Sequence, residues 1–199
     1  MPNLKPFPLY STPIDLAHSF WKNILEKGSI AIDATSGNGK DSKYIASLLA
    51  PLGGELYCID MQANAIKETK ALIQKHQPEF YPSVHFFERS HETLPTLRNG
   101  NKAKLIVYNL GYLPKGDKTI TTLTETTLKS LTEAKGIIDH GGLISITCYP
   151  GHSEGYKEQA ALESFVKKLD PTIFCVSTTY WPNRNAAPSL FLIQKKCSI

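Results

Sequence analysis

Asp33-Ala34-Thr35-Ser36-Gly37-Asn38-Gly39-Lys40-Asp41 follows the apolar run Ile30-Ala31-Ile32 and leads into Tyr44, Ile45, Leu48 and Leu49, which recur at helical spacing. The pattern is strand, tight glycine turn, helix. About twenty residues past the second glycine, a further apolar run, Leu56-Tyr57-Cys58-Ile59, ends in Asp60. A glycine turn lets a ligand approach the backbone, and an acid closing the next strand can hold both hydroxyls of a ribose. The arrangement suits an adenosine-containing cofactor.

Charge decides which one. A dinucleotide fingerprint carries a third glycine, where this chain has Ser42, and seats a pyrophosphate on the helix N-terminus, where this chain has Asp41. A carboxylate there repels a pyrophosphate. It attracts the sulfonium and α-amino group of S-adenosylmethionine, and Asp33, at the tip of the strand, is expected to be a second acceptor for that amino group. The predicted cofactor set from these two strand ends is Asp33, Thr35, Gly37, Asn38, Gly39, Asp41, Asp60 and Gln62.

The remaining chain alternates regularly. Strands are expected over 29–34, 55–60, 83–88, 104–109, 142–149, 173–181 and 189–195, and helices over 41–50, 62–76, 119–139 and 156–169. A further helix starts at Thr12-Pro13-Ile14-Asp15, a capping hydroxyl followed by proline and an acid three residues on, and shows Ile14, Ala17, Trp21, Ile24 and Leu25 on one face. Such alternation predicts an α/β protein with a mostly parallel, doubly covered sheet. The link between the last two strands is too short for a crossover helix, so they should pair antiparallel. The expectation is a Rossmann-like class I S-adenosylmethionine-dependent methyltransferase fold. Its seven-stranded sheet ends in an antiparallel hairpin. It should form a single domain over 1–199, with 1–28 as a helical extension packed on it.

Composition agrees with a cytoplasmic enzyme. The 199 residues carry net charge +4, which permits an anionic partner without requiring one, and the four cysteines lack C-x-x-C spacing. No apolar stretch is long enough for a membrane span. The six histidines form no ligand-spaced pair, so no metal is expected.

In sheets of this kind ligands bind beyond the carboxyl ends of the strands. Ser90 and His91, after the third strand, could hydrogen-bond the exocyclic amine of an adenine. Asn109-Leu110-Gly111-Tyr112, after the fourth, stands where amine methyltransferases place an Asn/Asp-Pro-Pro-Tyr/Phe segment. There the Asn oxygen and a backbone carbonyl accept the amine's hydrogens while the aromatic ring stacks on the substrate. Asn109 and Gly111 also adjoin the cofactor. Tyr149-Pro150-Gly151-His152, after the fifth, offers a substrate-facing aromatic and a histidine that could act as general base, position substrate or cap the next helix. Lys115 and Arg184 add positive charge on the same rim for a phosphate or base edge.

Taken together, the 33–41 loop, Asp60-Met61-Gln62, Asn-Leu-Gly-Tyr-Leu-Pro-Lys-Gly-Asp-Lys (109–118), Tyr-Pro-Gly-His-Ser-Glu-Gly (149–155) and the Asn183 to Pro188 ending resemble the MnmM (YtqB-like) family, formerly grouped as rRNA methylases. The resemblance runs in order along nearly the whole chain. It implies S-adenosylmethionine as cofactor and tRNA as partner, through the anticodon stem-loop. The reaction it implies is methylation of the aminomethyl group of 5-aminomethyl-2-thiouridine at the wobble position. Asn109, Tyr112 and His152 are then the expected catalytic residues, and Tyr112, Lys115, Tyr149, His152 and Arg184 the expected substrate contacts. Lys115 replaces a glycine usual in the family, and Asp60-Met61-Gln62 replaces Asp-Ile-Gln. Methylation of rRNA or of a small amine is the alternative, and a homodimer is left open.

Overall fold

The computed structural model of the protein describes residues 7, 9–112 and 121–198. Strands β1 (Ile30–Asp33), β2 (Glu55–Asp60), β3 (Val84–Glu88), β4 (Ala103–Leu110), β5 (Ile138–Cys148), β6 (Phe174–Thr179) and β7 (Ser189–Lys195) form a sheet in the order β3-β2-β1-β4-β5-β7-β6. β1 to β5 pair in parallel, and β7 runs antiparallel to both β5 and β6. The chain leaves β1 toward β2 on one side and returns to β4 on the other. A cleft opens where neighbouring strand ends send their loops apart, and here it lies beyond β1 and β4.

Period-2 alternation splits the core. Ala31, Leu56, Cys58, Leu105 and Val107 face a cluster built with α1 (Pro13–Ile24), α2 (Lys40–Leu49) and α3 (Ala63–His76). Ile32, Ile59, Ile106, Tyr108 and Ile146 face the opposite cluster, built with α4 (Thr124–Ile137) and α5 (Ser153–Lys167). Both faces of the central strands are therefore dry, which is why these strands read as unbroken apolar runs.

α1 is closed at its start by a capping box. The Asp15 N–H donates to Thr12 Oγ1 at 3.1 Å, and the Thr12 N–H to Asp15 Oδ2 at 3.1 Å. Its Ala17 and Trp21 are fully buried, and the helix lies against β4, β5 and β7.

Three element starts differ from expectation by three residues or more. α4 begins at Thr124 rather than 119, because Thr121 is extended in an isolated bridge with Tyr112. β5 begins at Ile138 rather than 142. Gly141, at φ +65°, does not end the strand but bulges it, donating its N–H to the Lys196 carbonyl at 3.1 Å. α5 begins at Ser153 rather than 156, because His152 supplies its cap.

No helix among the described residues is long and apolar enough to cross a membrane. Trp21→Ala is expected to lower the free energy of unfolding by about 3–5 kcal/mol, the usual cost of deleting a buried aromatic ring. Urea denaturation measures it, and a loss below about 1 kcal/mol would show that α1 contributes little to the fold.

Candidate active site

The glycine turn is held from two sides, by β2 and by α3. Asp60, closing β2, accepts the Gly37 N–H on Oδ2 and the Gln62 N–H on Oδ1, each at 2.9 Å. Burial raises the Asp60 pKa, opposed by those two N–H groups. From α3, the Thr69 hydroxyl donates to the Gly37 carbonyl at 3.1 Å. Gly39 has φ +72°, and a Cβ there would come within 2.8 Å of Thr69 Cα. Only glycine allows both the left-handed turn and that close helix approach.

A cavity of about 720 Å³ opens above this turn, along the ends of β1 to β5. Its wall includes Thr35, Gly37, Asn38, Asp41, Asp60, Gln62, Ser90 and His91 at one end, and Asn109, Gly111, Tyr112, Tyr149 and His152 at the other. Thr35 and Asn109 meet where the two halves of the sheet join: the Asn109 N–H donates to Thr35 Oγ1 at 2.7 Å. Most residues singled out from sequence thus share one enclosure.

Four do not. Asp33 is fully buried behind the wall rather than open to a ligand. It accepts the Ser42 hydroxyl on Oδ2 at 2.6 Å and the Thr35 N–H on Oδ1 at 3.3 Å, so it braces the turn from beneath. Burial raises its pKa to about 7, opposed by the Ser42 bond. Gly39 caps α2 outside the cavity wall. Arg184 does not reach the cavity: its Nη1 donates to the Ser11 carbonyl at 2.9 Å, and its guanidinium lies 5.9 Å from the Phe7 ring. The cation instead ties the β6–β7 turn to the N-terminal segment. Lys115, with residues 113–120, lies outside the described residues.

Two histidines have assigned hydrogens by necessity. His152 Nδ1 accepts the Gly155 N–H at 3.1 Å, which caps α5. A ring accepting at Nδ1 carries its hydrogen on Nε2. His152 Nε2 is buried with no partner of its own. A general base needs a free lone pair, and on this ring the cap has taken it. His152 therefore presents a donor, which corrects the general-base option.

His91 is pushed down to about 4 by burial, so its ring is neutral. Its Nε2 lies 3.4 Å from Thr127 Oγ1, whose own hydrogen goes to Glu158 Oε1 at 2.8 Å. The hydrogen on that histidine therefore sits on Nε2, and Nδ1 keeps an acceptor lone pair.

Several participants escaped the sequence reading. Glu158, 1 % exposed on α5, also accepts the Thr122 hydroxyl at 2.8 Å, and Thr122 Oγ1 takes the Gly111 N–H at 2.9 Å. Burial raises the Glu158 pKa, opposed by the two threonine bonds. From α1, Ile14 and His18 complete the wall. The signal for His18 was available: it lies four residues after Ile14 and three before Trp21, a polar side chain on an apolar stripe.

Chemically, the two ends of the cavity differ. The first offers carboxylates, backbone donors and a neutral imidazole acceptor, suited to a ribose, an adenine and a positive centre. The second holds aromatic rings, with Tyr112 and His152 centroids 5.5 Å apart, around the Asn109 amide. Asn109 Nδ2 donates to Asp41 Oδ2 at 2.8 Å, while Asn109 Oδ1 is buried and has no partner. A buried amide oxygen without a donor is a costly arrangement unless a ligand supplies one.

Residues 56–195 match the family described as "Putative rRNA methylase". A chloroplastic protein of Arabidopsis thaliana, described as a tRNA (mnm(5)s(2)U34)-methyltransferase, is 34% identical over 188 residues, covering 92% of this chain and 69% of its own. A structure from Clostridium thermocellum with the same description as the family is 30% identical, with TM-score 0.87 over 94% of this chain and 98% of its own. A Streptococcus mutans protein solved in complex with SAH is 31% identical, with TM-score 0.81 over 94% of this chain and 99% of its own.

The buried Asp33 has a measurable signature. Its carboxyl is held near 7 in the fold against about 3.9 in the unfolded chain, so the folded state binds the extra proton between these values. Stability from this group is full below pH 4 and is lost as pH rises through 7. The unfolding free energy of wild type minus that of Asp33→Asn is expected to fall by on the order of 2 kcal/mol between pH 5 and pH 8. Urea titrations at the two pH values measure it, and a difference independent of pH would overturn the assignment.

Proposed function

The chain belongs to the family described as "Putative rRNA methylase", and from that membership we propose that it methylates the aminomethyl nitrogen of a modified wobble uridine in tRNA, 5-aminomethyl-2-thiouridine, with S-adenosylmethionine as methyl donor. The observation that carries this reading is the orphaned oxygen of Asn109. A primary amine brings the hydrogens that this oxygen lacks. Holding them aims the nitrogen lone pair along a fixed line, and alignment supplies most of the rate in a displacement of this kind.

The Arabidopsis relative, named for a tRNA wobble uridine, and the SAH-bound relative from Streptococcus mutans both support the assignment. When bound, S-adenosylmethionine supplies an electrophilic methyl and a good sulfide leaving group. The chain's own residues bind and orient. Asp60 holds the ribose hydroxyls on lone pairs left free by Gly37 and Gln62. His91 Nδ1 accepts from the exocyclic amine of the adenine, beside Ser90, and Thr35, Gly37, Asn38 and Gln62 close the same end. At the other end Tyr112 and Tyr149 sandwich the base, and His152 Nε2 donates to a carbonyl or thiocarbonyl of that base. With no lone pair free on His152, the amine loses its proton to water before it attacks.

Two measurements test this. Nucleoside mass spectrometry on tRNA from cells lacking the gene should show loss of methylaminomethyl-uridines with build-up of the aminomethyl precursor, and unchanged tRNA would sink the substrate assignment in favour of rRNA or a small amine. With purified protein, Asn109→Ala should cut kcat by roughly 100-fold while the Kd for S-adenosylmethionine stays within about threefold. Normal turnover in that variant would remove Asn109 from the acceptor role.

A further inference from the structure

We propose that His18 is a positioning residue for the acceptor: through Asp41 it fixes the Asn109 amide with its nitrogen on Asp41 and its oxygen left for an incoming hydrogen-bond donor. The inference rests on the reading of Asn109 as the group that receives the amine.

The chain of contacts is short. His18 Nε2 donates to Asp41 Oδ1 at 2.8 Å, and Asp41 Oδ2 accepts from Asn109 Nδ2 at 2.8 Å. Asp41 takes no hydrogen-bond donor role when ionised, so the only end of the Asn109 amide it can face is the nitrogen. An amide committed at nitrogen must direct its oxygen the other way. That oxygen is the buried, unpartnered one. The Asn109 backbone is already anchored by its N–H on Thr35 Oγ1 at 2.7 Å. What remains undecided by the main chain is which way the amide is turned, and Asp41 decides it.

Asp41 in turn needs a partner to hold its plane. Its second oxygen is held by His18, a residue 23 positions away in sequence and carried by a different helix. The His18 ring cannot swing. It is stacked on Tyr44 at 3.9 Å and 10°, and leans on the buried Trp21 at 4.8 Å. α1 thus delivers one N–H to one carboxylate oxygen with its direction set by packing. Removing that donor leaves Asp41 able to rotate and Asn109 able to turn its NH2 into the place of that oxygen, where it meets the hydrogens of an amine instead of accepting them.

Two substitutions separate this role from packing. His18→Phe keeps a ring on Tyr44 and Trp21 and removes the donor. His18→Gln removes the ring and keeps an N–H at a similar reach. The proposal expects His18→Phe to lower kcat on the tRNA acceptor by roughly 10- to 100-fold, with the Kd for S-adenosylmethionine within about threefold, and His18→Gln to recover most of that loss. It also expects the side-chain NH2 resonances of Asn109, identified by their absence in Asn109→Ala, to shift in His18→Phe and return in His18→Gln. Activity kept by His18→Phe and lost by His18→Gln would make the ring a packing element and overturn the proposal. So would an unfolded or cofactor-blind protein in both variants. Should Asn109→Ala turn over normally, the acceptor reading fails, and the resonances alone then decide whether His18 orients the amide. Should Asn109→Ala be inactive while His18→Phe is fully active, the fault lies with His18.

Discussion

β1 and β4 lie side by side, yet the chain leaves their ends in opposite directions, and that divergence creates the space in which everything else sits. A gap between two strand ends is a weak place in a sheet, because neither loop covers the other. Here the Asn109 N–H crosses it to Thr35 Oγ1, joining the glycine turn to the end of β4 by one hydrogen bond. The turn is then tied outward to β2 through Asp60 and to α3 through Thr69. The Asn109–Tyr112 segment is tied outward to α5 through Thr122 and Glu158. Rigidity is supplied from the periphery, leaving the middle open.

The second organising force is a concentration of negative charge. Asp33, Asp41 and Asp60 surround one short turn in a chain whose net charge is +4. Their mutual repulsion contributes, after burial, to the raised pKa of Asp33. Such a cluster is unfavourable by itself and is relieved by a cation, as repulsion between like charges requires. Charge of this sign repels a pyrophosphate and attracts a sulfonium or an ammonium.

Much of this was legible in the chain. The 33–41 turn, Asp60 and the alternation of apolar runs identified the sheet, its closing hairpin and one end of the cavity, because those features depend on local spacing. What escaped depended on direction or distance. Asp33 and Asp41 are both acids beside the same turn, and which of them faces inward is decided by the fold of the turn, not by residue type. His152 and His91 are polar candidates in sequence, but the position of their hydrogens follows from Gly155, Thr127 and Glu158. His18 reaches Asp41 across tertiary space, and a stripe of apolar neighbours masks it. The fifth strand was expected from 142, whereas pairing of β5 with β4 on both sides of Gly141 and Gly142 carries it back to Ile138.

α4 ends at Ile137 and β5 starts at Ile138, with no connecting loop. A helix of this length is roughly 20 Å long, and the 11-residue strand returns over roughly 35 Å. Thr126 near one tip and Tyr149 beyond the other both line the cavity. The pair behaves as a tuning fork whose two prongs flank the cavity, and a one-residue insertion at the Ile137–Ile138 stem would shift one prong against the other.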